Sequence, residues 1–208
     1  MAKSMQHWNG HQICAIDVET SGLDPHWHEI LQICILPLDS DLKPRRDIMP
    51  FYIDMSPEHP HRISEEALKV NRMNMQRIMR GIDPDKAKDL LEAWVGKLKL
   101  PYTPSGYRKR IIPLAHNYGF DKGFIQRWLG IETYSEYFDS RARDTMETSL
   151  YLNDAAAMHG EKVPYSKNTL SWLASKLNVP HERAHDAMQD CLATAEVYRR
   201  LLQRGPMI

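Results

Sequence analysis

Ile13-Cys14-Ala15-Ile16-Asp17-Val18-Glu19-Thr20-Ser21-Gly22-Leu23 reads as an apolar strand that carries two carboxylates in its own interior and then turns sharply. Side chains alternate along a strand, so Asp17 and Glu19 share one face while Ile16 and Val18 point to the other. Two such anions at ~4 Å repel by roughly 4 kcal/mol at an effective dielectric of ~20. A multivalent cation removes that repulsion; a pair of solvated carboxylates at a sheet edge is the plainer alternative. Thr20 to Leu23 add a tight turn whose hydroxyls and N–H groups suit a phosphate or sugar end.

Working outward, residues 29–38 read as a second strand and residues 48–53 as a third, joined by short polar turns into an antiparallel meander. Ser64 is placed to cap a short helix, and a longer one is expected over residues 84–97, with Ala87, Leu90, Leu91, Trp94 and Val95 on its apolar face. The connector at residues 97–110 is rich in Pro, Gly, Tyr and basic residues. It is either a solvated loop or a contact that stacks a base on Tyr102 or Tyr107 while Arg108, Lys109 and Arg110 meet phosphate. A short apolar strand at 111–115 leads through His116-Asn117-Tyr118-Gly119-Phe120-Asp121 into a helix with Phe124, Ile125, Trp128 and Leu129 on one face, so Asp121 falls in its first turn. A further strand is expected at 137–141, then helices at 144–158, 168–177 and 184–203, with Asp186 or a neighbour capping the last.

The 208 residues suffice for one domain with a sizeable core, taken as residues 12–203 between an N-terminal extension, 1–11, and a tail, 204–208. Lys+Arg 27 against Asp+Glu 27 argues against coating nucleic acid by bulk charge, though not against holding a few nucleotides. No apolar run approaches the ~20 residues of a membrane span, and the first dozen residues lack a signal-peptide core, so a soluble, cytoplasmic protein is expected. Cys14, Cys34 and Cys191 are too scattered for a disulfide framework and read as small buried hydrophobes in a reducing compartment. His26, His28, His59 and His61 form two H-x-H pairs, but no further ligands stand at zinc spacing, which favours surface or loop histidines.

Taken together, Asp17-x-Glu19, the segment HNYGFD ending at Asp121, and the segment HDAMQD from His185 to Asp190 resemble the three motifs of the DEDD superfamily of 3′–5′ exonucleases. Histidine stands five positions before the last aspartate, and Asp186, not tyrosine, stands four before it. The resemblance is therefore to the DEDDh, DnaQ-like branch, and it covers about residues 12–202. His181 competes in the same loop, but its spacing to Asp190 does not match the pattern.

The resemblance implies an α/β, ribonuclease H-like fold: a central five-stranded mixed sheet, three strands antiparallel and two parallel, flanked by helices. It implies that Asp17, Glu19, Asp121 and Asp190 hold two divalent cations, Mg2+ or Mn2+, and that His185 takes the proton from the attacking water. Thr20, Leu23, Asn117 and Phe120 are its substrate-binding positions, with Leu23 wedging against a base. On the residues alone, Leu23 could be core, Asn117 a turn residue and Phe120 a packing residue. The partners implied are single-stranded DNA or RNA 3′ ends, with DNA slightly favoured and an exoribonuclease of the RNase T or oligoribonuclease type as the alternative. A homodimer is admitted, and no polymerase-binding or clamp-binding motif is recognised. A non-catalytic module of the same fold is the remaining alternative; such modules lose ligands, whereas here all four carboxylates and the histidine are present.

Overall fold

The structure, a computed structural model, describes residues 10–182 and 184–204; most of the expected N-terminal extension and tail lies outside these residues. Strands β1 (Ile13–Thr20), β2 (Ile30–Pro37) and β3 (Phe51–Asp54) form the expected antiparallel meander. Beyond them come helices α1 (Glu65–Asn71), α2 (Met75–Ile78) and α3 (Pro84–Lys97), then strand β4 (Ile112–Ala115). Helices α4 (Tyr118–Leu129) and α5 (Ile131–Tyr137) precede the short β5 (Arg143–Asp144), which leads into α6 (Thr145–Met158), α7 (Leu170–Lys176) and α8 (Ala187–Arg204). The sheet order is β3-β2-β1-β4-β5, with β4 parallel to β1 and β5 parallel to β4. This is the five-stranded mixed sheet implied by the resemblance.

Alternation along β1 assigns its two faces. Cys14, Ile16 and Val18 pack with Leu91 and Trp94 of α3, Phe124 and Ile125 of α4, and Tyr134 of α5. Ile13 and Ala15 face α8, where Ala187, Cys191 and Ala195 are small enough to bring that helix close to the sheet. Asp17 and Glu19 continue the Ile13–Ala15 row, so the carboxylates emerge where the apolar seam under α8 ends. All three cysteines are buried and unpaired, and burial pushes the Cys14 and Cys191 thiols well up.

Two expectations are corrected. Residues 137–141 are not a strand. Tyr134 and Tyr137 are buried on one side of α5, Phe138 makes a single parallel bridge to Ile111, and Asp139 Oδ1 accepts the Arg141 N–H at 3.0 Å. That turn delays pairing with β4 until Arg143 and Asp144. Leu90 is exposed, not part of the buried face of α3, which consists of Ala87, Leu91, Trp94 and Val95. The connector forms a hairpin closed by pairing of Tyr102 with Arg108. It immediately precedes β4, at the opposite end of the parallel strands from Asp17 and Glu19. Among the described residues no helix is long and apolar enough to cross a membrane.

Candidate active site

Three elements meet at the C-terminal end of β1. Asp121, only 4 % exposed, is fixed there because its Oδ1 accepts the Val18 N–H at 3.0 Å, which ties α4 between the two β1 carboxylates. Asp190 comes from the first turn of α8, and its Oδ2 accepts the His185 N–H at 3.2 Å. One ligating atom each from Glu19, His185 and Asp190 falls within 4.8 Å of the others, with Glu19 and Asp190 buried and His185 exposed. The five residues expected to form the reactive group are thus brought to one cleft from three segments widely separated in sequence.

The electrostatics of this assembly follow from its burial. Asp17 is held well above the usual carboxylate range, first by burial and then by the nearby Asp121, Asp190 and Glu19. Burial also pushes Glu19 up to about 8, with Asp190 and Asp121 adding to it. Asp121 is likewise pushed up to about 8 by burial, against the lowering effect of the Val18 N–H. Among the described residues lining the surrounding cleft, which encloses about 830 Å³, there is no lysine or arginine. Hard oxygen donors, clustered and without a side-chain cation, fit a magnesium- or manganese-type ion.

The substrate-binding positions flank this group. Thr20, Leu23, Asn117 and Phe120 all line the cleft. Leu23 is 83 % exposed on its turn, so it is not a core residue. Asn117 is exposed and precedes α4 with φ +62, and Phe120 packs on Phe124 at 5.0 Å between ring centroids. Helix α1 also lines the cleft, held to the end of β1 by the Asn71 Nδ2 bond to the Thr20 carbonyl at 2.9 Å and by the Ser64 N–H bond to the Ser21 carbonyl at 2.8 Å.

Other residues at the site are not singled out by the sequence motifs. Asp144 caps α6 through the Met146 and Glu147 N–H groups and also accepts from the Asn117 and Tyr118 N–H groups at 3.1 and 2.7 Å, so one carboxylate starts two helices. Its spacing to Glu147 is the readable signal, a helix-start pattern. His116 is bonded to Thr145 Oγ1 at 2.8 Å, and burial pushes it down. His181, whose spacing counts against it, is nevertheless the histidine whose ring bonds Asp190, Nε2 to Oδ1 at 2.5 Å. Away from the cleft, the fold supplies what spacing does not for one H-x-H pair: Glu29 and Glu58 approach His59, whose Nδ1 lies 2.7 Å from Glu29 Oε1.

No family model matches the chain. It is 24% identical over 192 residues to ribonuclease T of Buchnera aphidicola subsp. Schizaphis graminum, a match covering 91% of this chain and 82% of that protein. It is also 24% identical over 189 residues to the PolC-type DNA polymerase III of Staphylococcus aureus, covering 90% of this chain but spanning only 11% of the polymerase. Among solved structures, the zinc-bound complex of E. coli exonuclease I with single-stranded DNA superposes with a TM-score of 0.68 at 18% identity, covering 95% of this chain and 41% of that one. At this identity the superposition establishes the ribonuclease H-like fold.

Proposed function

We propose, on the premise that the chain is built as a DnaQ-like, DEDDh-type member of the ribonuclease H-like superfamily, that it is a metal-dependent 3′–5′ exonuclease. It hydrolyses phosphodiester bonds from the 3′ end of single-stranded nucleic acid and releases nucleoside 5′-monophosphates. The observation that carries this reading is the convergence of Asp17, Glu19, Asp121, Asp190 and His185 in a cleft without a lysine or arginine among the described residues that line it. Residues 12–203 would form the catalytic domain, bounds supported by β1 starting at Ile13 and α8 running to Arg204. The buried, unpaired cysteines support a reducing, cytoplasmic setting.

Asp17, Glu19, Asp121 and Asp190 would hold two divalent cations, Mg2+ or Mn2+, which when bound stabilise the charge that develops on the phosphoryl group in an in-line displacement. His185 removes the proton from the attacking water, the water oxygen bonds to phosphorus, and the bond from phosphorus to the 3′ oxygen of the preceding nucleotide breaks. The leaving 3′ oxygen takes a proton from solvent, so the shortened strand departs with a new 3′ hydroxyl and His185 returns its own proton to solvent. Thr20 and Asn117 border the terminal nucleotide, while Leu23 and Phe120 offer apolar surface to its base.

Single-stranded DNA is the favoured substrate, supported by the exonuclease I likeness. RNA is the second reading, because ribonuclease T is matched over most of its own length. Digestion of matched 5′-labelled DNA and RNA oligonucleotides with magnesium or manganese decides both questions. A ladder shortening from the 3′ end, absent with Asp17→Ala, is expected; intact substrates across both metals would refute the reading. The homodimer admitted by the resemblance belongs to the same reading, and sedimentation tests it.

A further inference from the structure

Gln32 and Tyr52 line no part of the cleft, yet they converge on the segment that carries His185. Gln32 is fully buried on β2. Its Nε2 donates to Asp54 Oδ1 at 2.6 Å and to the Tyr52 hydroxyl at 3.2 Å, and its Oε1 accepts the N–H of Ala187, the first residue of α8, at 2.9 Å. Because the Tyr52 oxygen receives that amide proton, its own proton is directed to Asp186 Oδ2, 2.9 Å away. Arg77 closes the far end with bonds of 2.7 and 2.9 Å to Asp54. The donor and acceptor roles agree along the whole chain, so Gln32 has one satisfied orientation.

At the near end, Asp186 Oδ1 accepts the Gln189 N–H at 3.2 Å, and its carbonyl accepts the Asp190 N–H at 2.9 Å. One residue earlier, His185 has φ +67, a left-handed backbone that a β-carbon disfavours and that persists where its surroundings over-determine it. We propose that Tyr52 and Gln32 are positioning residues: through Asp186 and Ala187 they pin the start of α8 and hold His185 in the backbone conformation that brings its ring beside Glu19 and Asp190. The inference rests on the exonuclease reading, in which His185 takes the proton from water.

Tyr52→Phe removes one hydroxyl and keeps the ring, so it isolates the clamp. Hydrolysis of a short 5′-labelled oligonucleotide with magnesium and amide hydrogen exchange at residues 185–190 are compared with wild type. The variant is expected to lose about tenfold or more in kcat, the worth of one hydrogen bond to a charged group. KM should stay within about twofold, exchange at residues 185–190 should quicken, and the magnesium-induced rise in Tm should be unchanged. Wild-type kcat in Tyr52→Phe, or a loss of kcat without faster exchange there, would overturn the positioning role. Where Tyr52→Phe lowers Tm throughout the molecule, Asp186→Asn carries the same test, since it weakens the bond from Tyr52 without altering β3. Wild-type protein that hydrolyses neither DNA nor RNA overturns the exonuclease reading and the positioning role with it; active wild type beside an unaffected variant overturns the positioning role alone.

Discussion

Asp121 is anchored to β1 by the Val18 N–H, and the roles proposed for the acids and for His185 are separable at the scale of single residues. Asp17→Asn should abolish the rise in Tm that magnesium produces, because it removes a shared anion. His185→Ala should keep that rise and lose about 10²–10⁴ in kcat, the range of a general base. Differential scanning fluorimetry with single-turnover hydrolysis distinguishes the two, and a lost metal shift in His185→Ala would reassign that residue to the ligands. His181→Ala should behave as a third type, since its ring orients Asp190: activity falls at low magnesium and recovers as magnesium is raised. Sequence spacing ranks His185 above His181, and it carries no sign that His181 bonds the same carboxylate. That contact depends on how the loop folds back over α8, which local pattern does not encode.

Elements are placed by a few polar anchors, of which Asp144 is the most heavily used. It serves four backbone N–H groups, at Asn117, Tyr118, Met146 and Glu147. Asp144→Ala should therefore cost about 2–4 kcal/mol, more than an ordinary cap, because one buried and three part-buried N–H groups lose their acceptor at two helix starts. Urea unfolding measures this, and a loss under 1 kcal/mol would show that water or a neighbour replaces the carboxylate. The strands β1 and β2 were legible as apolar runs bounded by turns, being buried almost throughout, and the helices α3, α4 and α8 because each repeats apolar residues at helical spacing. The strand expected at 137–141 was misread because Tyr137 and Phe138 look β-forming in isolation, whereas burying Tyr134 and Tyr137 together favours another turn of helix. The bond from Gln32 to Ala187 was beyond reach, being a pairing across 155 positions.

Across the whole molecule, the acidic group couples stability to pH. Glu19 and Asp121 are each pushed up to about 8 in the folded chain, above the ~4 of an unfolded carboxylate. The metal-free native state therefore holds protons that the unfolded chain releases. Its stabilising contribution is full below the unfolded value and is lost as pH rises to about 8. The urea midpoint of chelated protein should fall between pH 5 and 8 by an amount equivalent to a few kcal/mol, less in Asp17→Asn and least with saturating magnesium. A midpoint that climbs over that window would contradict the burial described for these acids. The mixed sheet, three strands antiparallel and two parallel, was legible at this scale through the resemblance that the motifs carry; the hydrogen-bonded joins that lock α1, α4 and α8 to the sheet were not, since each rests on one or two long-range contacts. The cysteines, finally, give the protein an internal clock. Cys34 on β2 and Cys191 on α8 are sealed between helix and sheet, whereas Cys14 packs on the opposite face, so a thiol reagent can reach the first two only as often as α8 lifts from the strands beneath it. Labelling rate thus counts the openings of the seam from which the acidic residues emerge, and any ligand that closes that seam will slow it.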